Sequence, residues 1–136
     1  MKTHYFREKE CIVPRFNHRP LPEFSALLSG RQPPDDVGFR SERLQTWYNH
    51  TNEGWSDPRT HAHRESDECF IVLAGSLEVE VEGERHTIGP REFCCFPAGI
   101  YHRVVAAHTP VETLMLRAPS IEDKVYPPDQ PSLPTS

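Results

Sequence analysis

The clearest pattern along the chain lies between positions 76 and 88, where Leu77, Val79 and Val81 alternate with Glu78, Glu80 and Glu82. A period of two places one apolar and one charged face on a strand, with a turn at Glu82-Gly83-Glu84. Just before it, CFIVLAG reads as a continuous apolar strand closed by Gly75. FRSERLQTWYNH alternates loosely, as a half-buried strand does, and NEGWSDPR is a turn or loop cluster. EFCCFPAG, HRVVAA and ETLMLRA supply three further short strands separated by turn residues. Short strands every eight to twelve residues, with no amphipathic helix among them, predict an all-β sandwich or barrel.

The ends have a different texture. Residues 1–37 read as an irregular arm, in which HYFREKECIV is a candidate strand and PEFSALLSG a candidate helical turn ended by Gly30. Residues 38–118 carry the strand pattern. Residues 119–136 hold five of the 14 prolines and predict an extended tail. The 136 residues suit one domain, and 36 % apolar with 26 % charged residues suit a folded, soluble one.

Charge narrows the partners. A net charge of −5 and no Lys/Arg cluster argue against a nucleic-acid partner. The charged start MKTHYFREKE does not look like a leader, and no apolar run reaches the length of a bilayer span. A cytoplasmic protein acting on or holding a small molecule is the expectation. Cys11, Cys69, Cys94 and Cys95 have neither zinc-knuckle spacing nor the context of a disulfide scaffold. Cys94 and Cys95, being adjacent, are expected on opposite strand faces, one of them packing as a small hydrophobe.

The chemistry concentrates in two stretches. In the first, His61 and His63 at i and i+2 on extended backbone project to one face, and Glu68 opens the next strand. In the second, Pro97 and Gly99 make a bend that sets His102 at the head of another strand. Three imidazoles and a carboxylate suit one divalent transition metal, with Fe, Mn, Ni and Zn as candidates, and leave coordination positions open. Glu65 and Asp67 are alternatives to Glu68, but alternation turns Asp67 to the other face. His4, His18, His50, His86 and His108 match no pattern and are expected to be solvent-facing or locally bonded.

HxH, four residues, Glu, six residues, Gly, followed by PxG, two residues, His, resembles the paired motifs of the cupin superfamily. The resemblance covers residues 40–118. It implies a single-domain cupin, a double-stranded β-helix or jelly-roll barrel, with His61, His63, Glu68 and His102 as metal ligands, and by the same resemblance a homodimer. The sequence departs from the family where Arg91-Glu92 stands in place of the usual Gly-Asp, and Ala106 in place of a frequent Asn.

Around the metal, Arg40, Arg43, Gln45, Trp47 and Arg59 are candidates for the pocket wall, and Tyr101 and Glu92 for proton transfer. An inward Arg in an apolar barrel would call for an anionic ligand. Two functions follow: a metal-dependent enzyme (a dioxygenase, or an isomerase or lyase working by Lewis-acid catalysis), or a binding module that holds a sugar, organic acid or metal without turnover.

Overall fold

The computed structural model describes residues 16–33 and 38–128. The strand expected over HYFREKECIV, and with it His4 and Cys11, lies outside them. Nine strands follow in chain order: β1 (Ala26–Gly30), β2 (Phe39–Arg40), β3 (Gln45–Thr51), β4 (Ala62–His63), β5 (Asp67–Val81), β6 (Glu84–Ile88), β7 (Phe93–Phe96), β8 (His102–Ala118) and β9 (Lys124–Val125). Seven form one sheet in the order β2-β1-β3-β8-β5-β6, with β7 added to β5, and β4 pairs with β9. The described residues hold no helix, and none is long and apolar enough to cross a membrane.

PEFSALLSG is corrected by this topology. Ala26–Gly30 is a strand, parallel to β2 and antiparallel to β3. Five residues are too few to show a period, so the open edge of β3 decides their conformation.

The boundaries at Gly75 and between HRVVAA and ETLMLRA are corrected as well. β5 and β8 are long strands of 15 and 17 residues that pair along their whole length. Near their middles the register shifts at Val72/Ala74 and Ala74/Ser76, across from His108–Glu112. Gly75 sits at this bend with φ 75°. The residues read as strand ends are the bulges at which a continuous strand turns a barrel corner. Beyond the bend β5 pairs with β6 through the Glu82-Gly83 turn, where both φ values are positive, as a two-residue hairpin requires. Before it, β5 pairs with β7.

The inward faces of both halves of β5 and β8, with Phe96 of β7, build the core: Phe70, Val72, Leu77, Val79, Phe96, Val104, Ala107, Val111 and Met115. Glu78 and Glu80 look outward as expected, pairing with Arg85, Arg103 and His108.

Tyr48 is buried on the outward side of β3, and its hydroxyl donates to the Glu112 carboxylate. Burial, and then that hydrogen bond and charge, push the phenol up to about 12. A pKa raised in the folded state stabilises the fold below the ordinary value near 10, and that contribution is lost as pH climbs through 12. Between pH 10 and 12 the native protein is therefore expected to lose more urea resistance than Tyr48→Phe, with parallel curves sinking the assignment.

Candidate metal centre and its cavity

Each ligand candidate is placed by the sheet. Residues 55–61 run beside the first half of β8 through Ala107 N–H to Trp55 C=O (3.0 Å), Asp57 N–H to Val104 C=O (2.8 Å), and reciprocal bonds between His61 and His102 (3.0 and 2.8 Å). That ladder continues into β4 and delivers His61 and His63 to the face on which β8 presents His102. Glu68 arrives on the inward side of β5, two residues before Phe70. His61, His63, Glu68 and His102 are all buried, with one ligand atom from each lying within 4.8 Å of the others.

Contacts on Nδ1 turn the other ring nitrogen of each imidazole toward the cluster. His61 Nδ1 is 3.1 Å from the Arg59 carbonyl, His102 Nδ1 is 3.0 Å from that of Ile100, and His63 Nδ1 is 3.0 Å from Asp123 Oδ1. With Nδ1–H donated to a carbonyl, the Nε2 lone pairs of His61 and His102 face the cluster, the arrangement found around protein-bound metals, and the Nε2 of His63 is turned toward it as well. His102 Nε2 then lies 2.9 Å from Glu68 Oε1. Two acceptors that close need a cation beside them, either a second proton on the ring or a metal ion. The donor set therefore fits a divalent metal.

Electrostatics agrees in direction. Burial, the largest influence, lowers the basicity of His61 and keeps it neutral, with the charges of His102 and Lys124 acting the same way. For Glu68 burial acts upward, but its contacts with His102 and His63 outweigh it and hold the carboxyl well below the ordinary range. Phe96 stacks flat on His102 at 3.9 Å between centroids and limits its tilt.

The brace behind His63 comes from residues 119–128, which return across the barrel so that β9 pairs with β4. Asp123 Oδ2 accepts the backbone N–H groups of Glu65 and Ser66 at 2.9 Å, and the Ser66 hydroxyl lies at the same distance. Burial would raise this carboxyl, yet those donors and His63 bring it down to about 2. Arg117 Nη1 sits 3.0 Å from His63 Nδ1 and 3.5 Å from Asp123 Oδ1, so Asp123 is shared by the ring and the guanidinium.

A cavity of about 340 Å³ opens in front of the cluster, lined by Gln45, Trp47, Asn49, Trp55, Asp57, Phe70, Met115, Arg117 and Lys124 besides three of the ligands. Of the expected wall residues, Gln45 and Trp47 are in it. Arg43 is exposed elsewhere, Arg40 donates to the Arg31 carbonyl, and Arg59 packs over the Tyr126 ring at 3.8 Å. Tyr101 and Glu92 are not on the wall: the Tyr101 hydroxyl is 3.5 Å from the Tyr126 carbonyl, and Glu92 Oε1 accepts the Gly89 N–H at 2.7 Å. Glu92 closes a turn in which Arg91 adopts φ 68°, at the position where the motif usually has glycine. Asp67 accepts the Ala98 N–H on the exposed side.

Asp57, Arg117, Lys124 and Asp123 escaped the sequence reading. Asp57 lay hidden in a segment read only as a turn. Alternation on β8 from Met115 does bring Arg117 inward, but register was needed to see what it meets.

The cysteines are corrected too. Cys69 and Cys95 face one another in the β5–β7 register, Cα atoms 4.1 Å apart, and are joined as a disulfide. Spacing along the chain could not reveal a pair made by strand register. Cys94 turns inward against the core, and burial pushes its thiol up to about 11, leaving it a protonated apolar filler at neutral pH.

The Cupin domain family profile matches residues 47–117, just over half the chain. No curated protein matches. Among solved structures, a cupin protein from Bacteroides fragilis superposes with TM-score 0.60 at 12 % identity, covering 90 % of this chain and 100 % of its own. KdgF from Halomonas sp. gives 0.55 at 21 %, covering 70 % and 76 %. The DMSP lyase DddQ from Ruegeria pomeroyi DSS-3 gives 0.54 at 24 %, covering 75 % of this chain and half of the lyase. At such identities these likenesses speak to fold alone.

Proposed function

Because this chain belongs to the cupin domain family and gathers four buried donors at one cavity, we propose that it is a metal-dependent enzyme acting on a small organic molecule by Lewis-acid catalysis. The observation that carries the reading is that all three Nδ1 atoms are engaged away from the cluster, which leaves three Nε2 atoms and a Glu68 oxygen within 4.8 Å of one another. A divalent ion held by His61, His63, Glu68 and His102 would supply polarisation of a substrate oxygen.

The chain's own groups do the rest. Trp47, Trp55, Phe70 and Met115 give the wall an apolar side that shields the reacting bond from water, while Gln45 and Asn49 offer hydrogen bonds for orientation. Asp57 is the wall carboxylate that is not a ligand. The Val104 N–H fixes its Oδ2 at 2.9 Å, and its Oδ1 is the atom assigned to take up or return a proton. Isomerisation and elimination both need such a base beside a polarised carbonyl, and this favours the isomerase or lyase branch over the dioxygenase branch.

The experiment is elemental analysis of protein purified without added metal, followed by reloading with Mn, Fe, Ni or Zn and incubation of small oxo and hydroxy acids in D2O. Proton NMR should show carbon-bound hydrogen exchanging with solvent in wild type, and about 10²–10⁴-fold more slowly in Asp57→Asn, which keeps an oxygen for Val104. Oxygen consumption by the Fe(II) form without any exchange would move the assignment to the dioxygenase branch. Absence of both with every metal would leave the binding module.

A further inference from the structure

Beyond the ion itself, the cavity carries two fixed positive charges. β9 pairs with β4 so that Lys124 stands directly opposite His63, and paired residues project to the same face. Arg117 stands opposite Glu68 on β5 and opposite Gln45 on β3. The cluster therefore has a cation on either side, one reaching it from each strand system. We propose that the ligand of this cavity is a small organic acid bearing a single carboxylate, held by Lys124 and Arg117 while a neighbouring oxygen approaches the metal. This rests on the metal reading above and names the class of molecule for that same site.

The charges in and directly behind the wall favour one negative charge over two. The lining residues Glu68 and Asp57, with Asp123 buried behind the wall against His63 and Arg117, contribute three negative charges, Arg117 and Lys124 two positive, and a divalent ion two more. With neutral imidazoles the loaded site stands at +1. A monoanion brings it to zero, a dianion would reverse it to −1, and a neutral ligand would leave a net charge in a partly apolar recess. The two cations are not equivalent. Arg117 is already tied to Asp123 at 3.5 Å and donates from Nη2 to Gln45 Oε1 at 2.8 Å, while its buried Nε has no partner. Lys124 has no carboxylate within 4.0 Å among the described residues, and its exposed position puts its ammonium at the cavity mouth. Lys124 is thus the free electrostatic anchor and Arg117 the oriented one. The volume of about 340 Å³ lies at the low end of ligand pockets, which run from about 300 to 1,000 Å³.

Calorimetric titration of the Mn(II)-loaded protein with lactate and with lactamide, at fixed ionic strength, tests this. Because an ion alone prefers a carboxylate, the deciding comparison is wild type against Lys124→Met. Lactate should bind about fivefold more weakly to the variant, with lactamide and Mn(II) affinity unchanged. Equal lactate binding by the two proteins would overturn the proposal, as would failure of the loaded wild type to bind lactate. Loss of Mn(II) from the variant would also overturn it, by making Lys124 part of the metal site. A wild-type chain that takes up no metal would instead defeat the reading on which the proposal stands.

Discussion

Replacing His102 with Ala is expected to reduce bound metal from one equivalent to near zero while the far-ultraviolet spectrum keeps its β-sheet shape. His102 is 2 % exposed, its Nδ1 proton is committed to Ile100, and Phe96 stacks flat on the ring, so its Nε2 is held in place as a donor. The remaining set would be two imidazoles and Glu68. The loss should also show in stability. A protein that binds a ligand only when folded gains about 4 kcal/mol at a thousandfold excess over its Kd. Wild type should therefore melt higher with added Zn(II) or Mn(II), and His102→Ala should not. A variant that retains a full equivalent, or that shifts its melting temperature like wild type, would remove His102 from the ligand set.

Gly75→Ala is expected to destabilise the fold by about 3 kcal/mol or more, far beyond the usual effect of one methyl group. Two costs add. Left-handed backbone at φ 75° costs a side-chain-bearing residue about 1–2 kcal/mol. In addition, a Cβ there would sit 2.7 Å from the His108 carbonyl oxygen, 2.9 Å from the Val111 Cα and closer still to the Pro110 carbonyl oxygen. All three are backbone atoms of β8 that cannot rotate aside, so the bend would have to open. Gly83→Ala separates the two costs, since φ is 88° but no atom lies within 4 Å of the added methyl. Urea unfolding should give about 1 kcal/mol for Gly83→Ala and a several-fold larger loss for Gly75→Ala. Equal losses would mean that the approach of β8 at this corner is not what the glycine serves.

The same glycine shows why part of the molecule was legible in the sequence. Six residues separate it from Glu68, and the spacing of HxH, Glu, Gly and PxG-x2-His reflects the path of strands round one corner. Period-two alternation located the second half of β5, and short apolar runs bounded by turn residues located its first half, β7 and the two halves of β8, because one face of these strands is buried. Where the burial is supplied by distant partners, the sequence was silent. β1 is too short to display a period, and the β3 edge makes it a strand. Asp123 stands 60 positions from the imidazole it braces, and Cys69 finds Cys95 only through register. Asp57 carried no local pattern, being inward only because residues 55–61 follow the edge of β8. Long-range pairing, not residue type, decided each of these.

The return of residues 119–128 over the barrel has a consequence for how the centre matures during synthesis. A nascent chain that has emerged only as far as Ala118 already owns all four donors, yet His63 still lacks the carboxylate that orients its ring. The final orientation of the His63 ring therefore waits upon β9, which brings Asp123 to it.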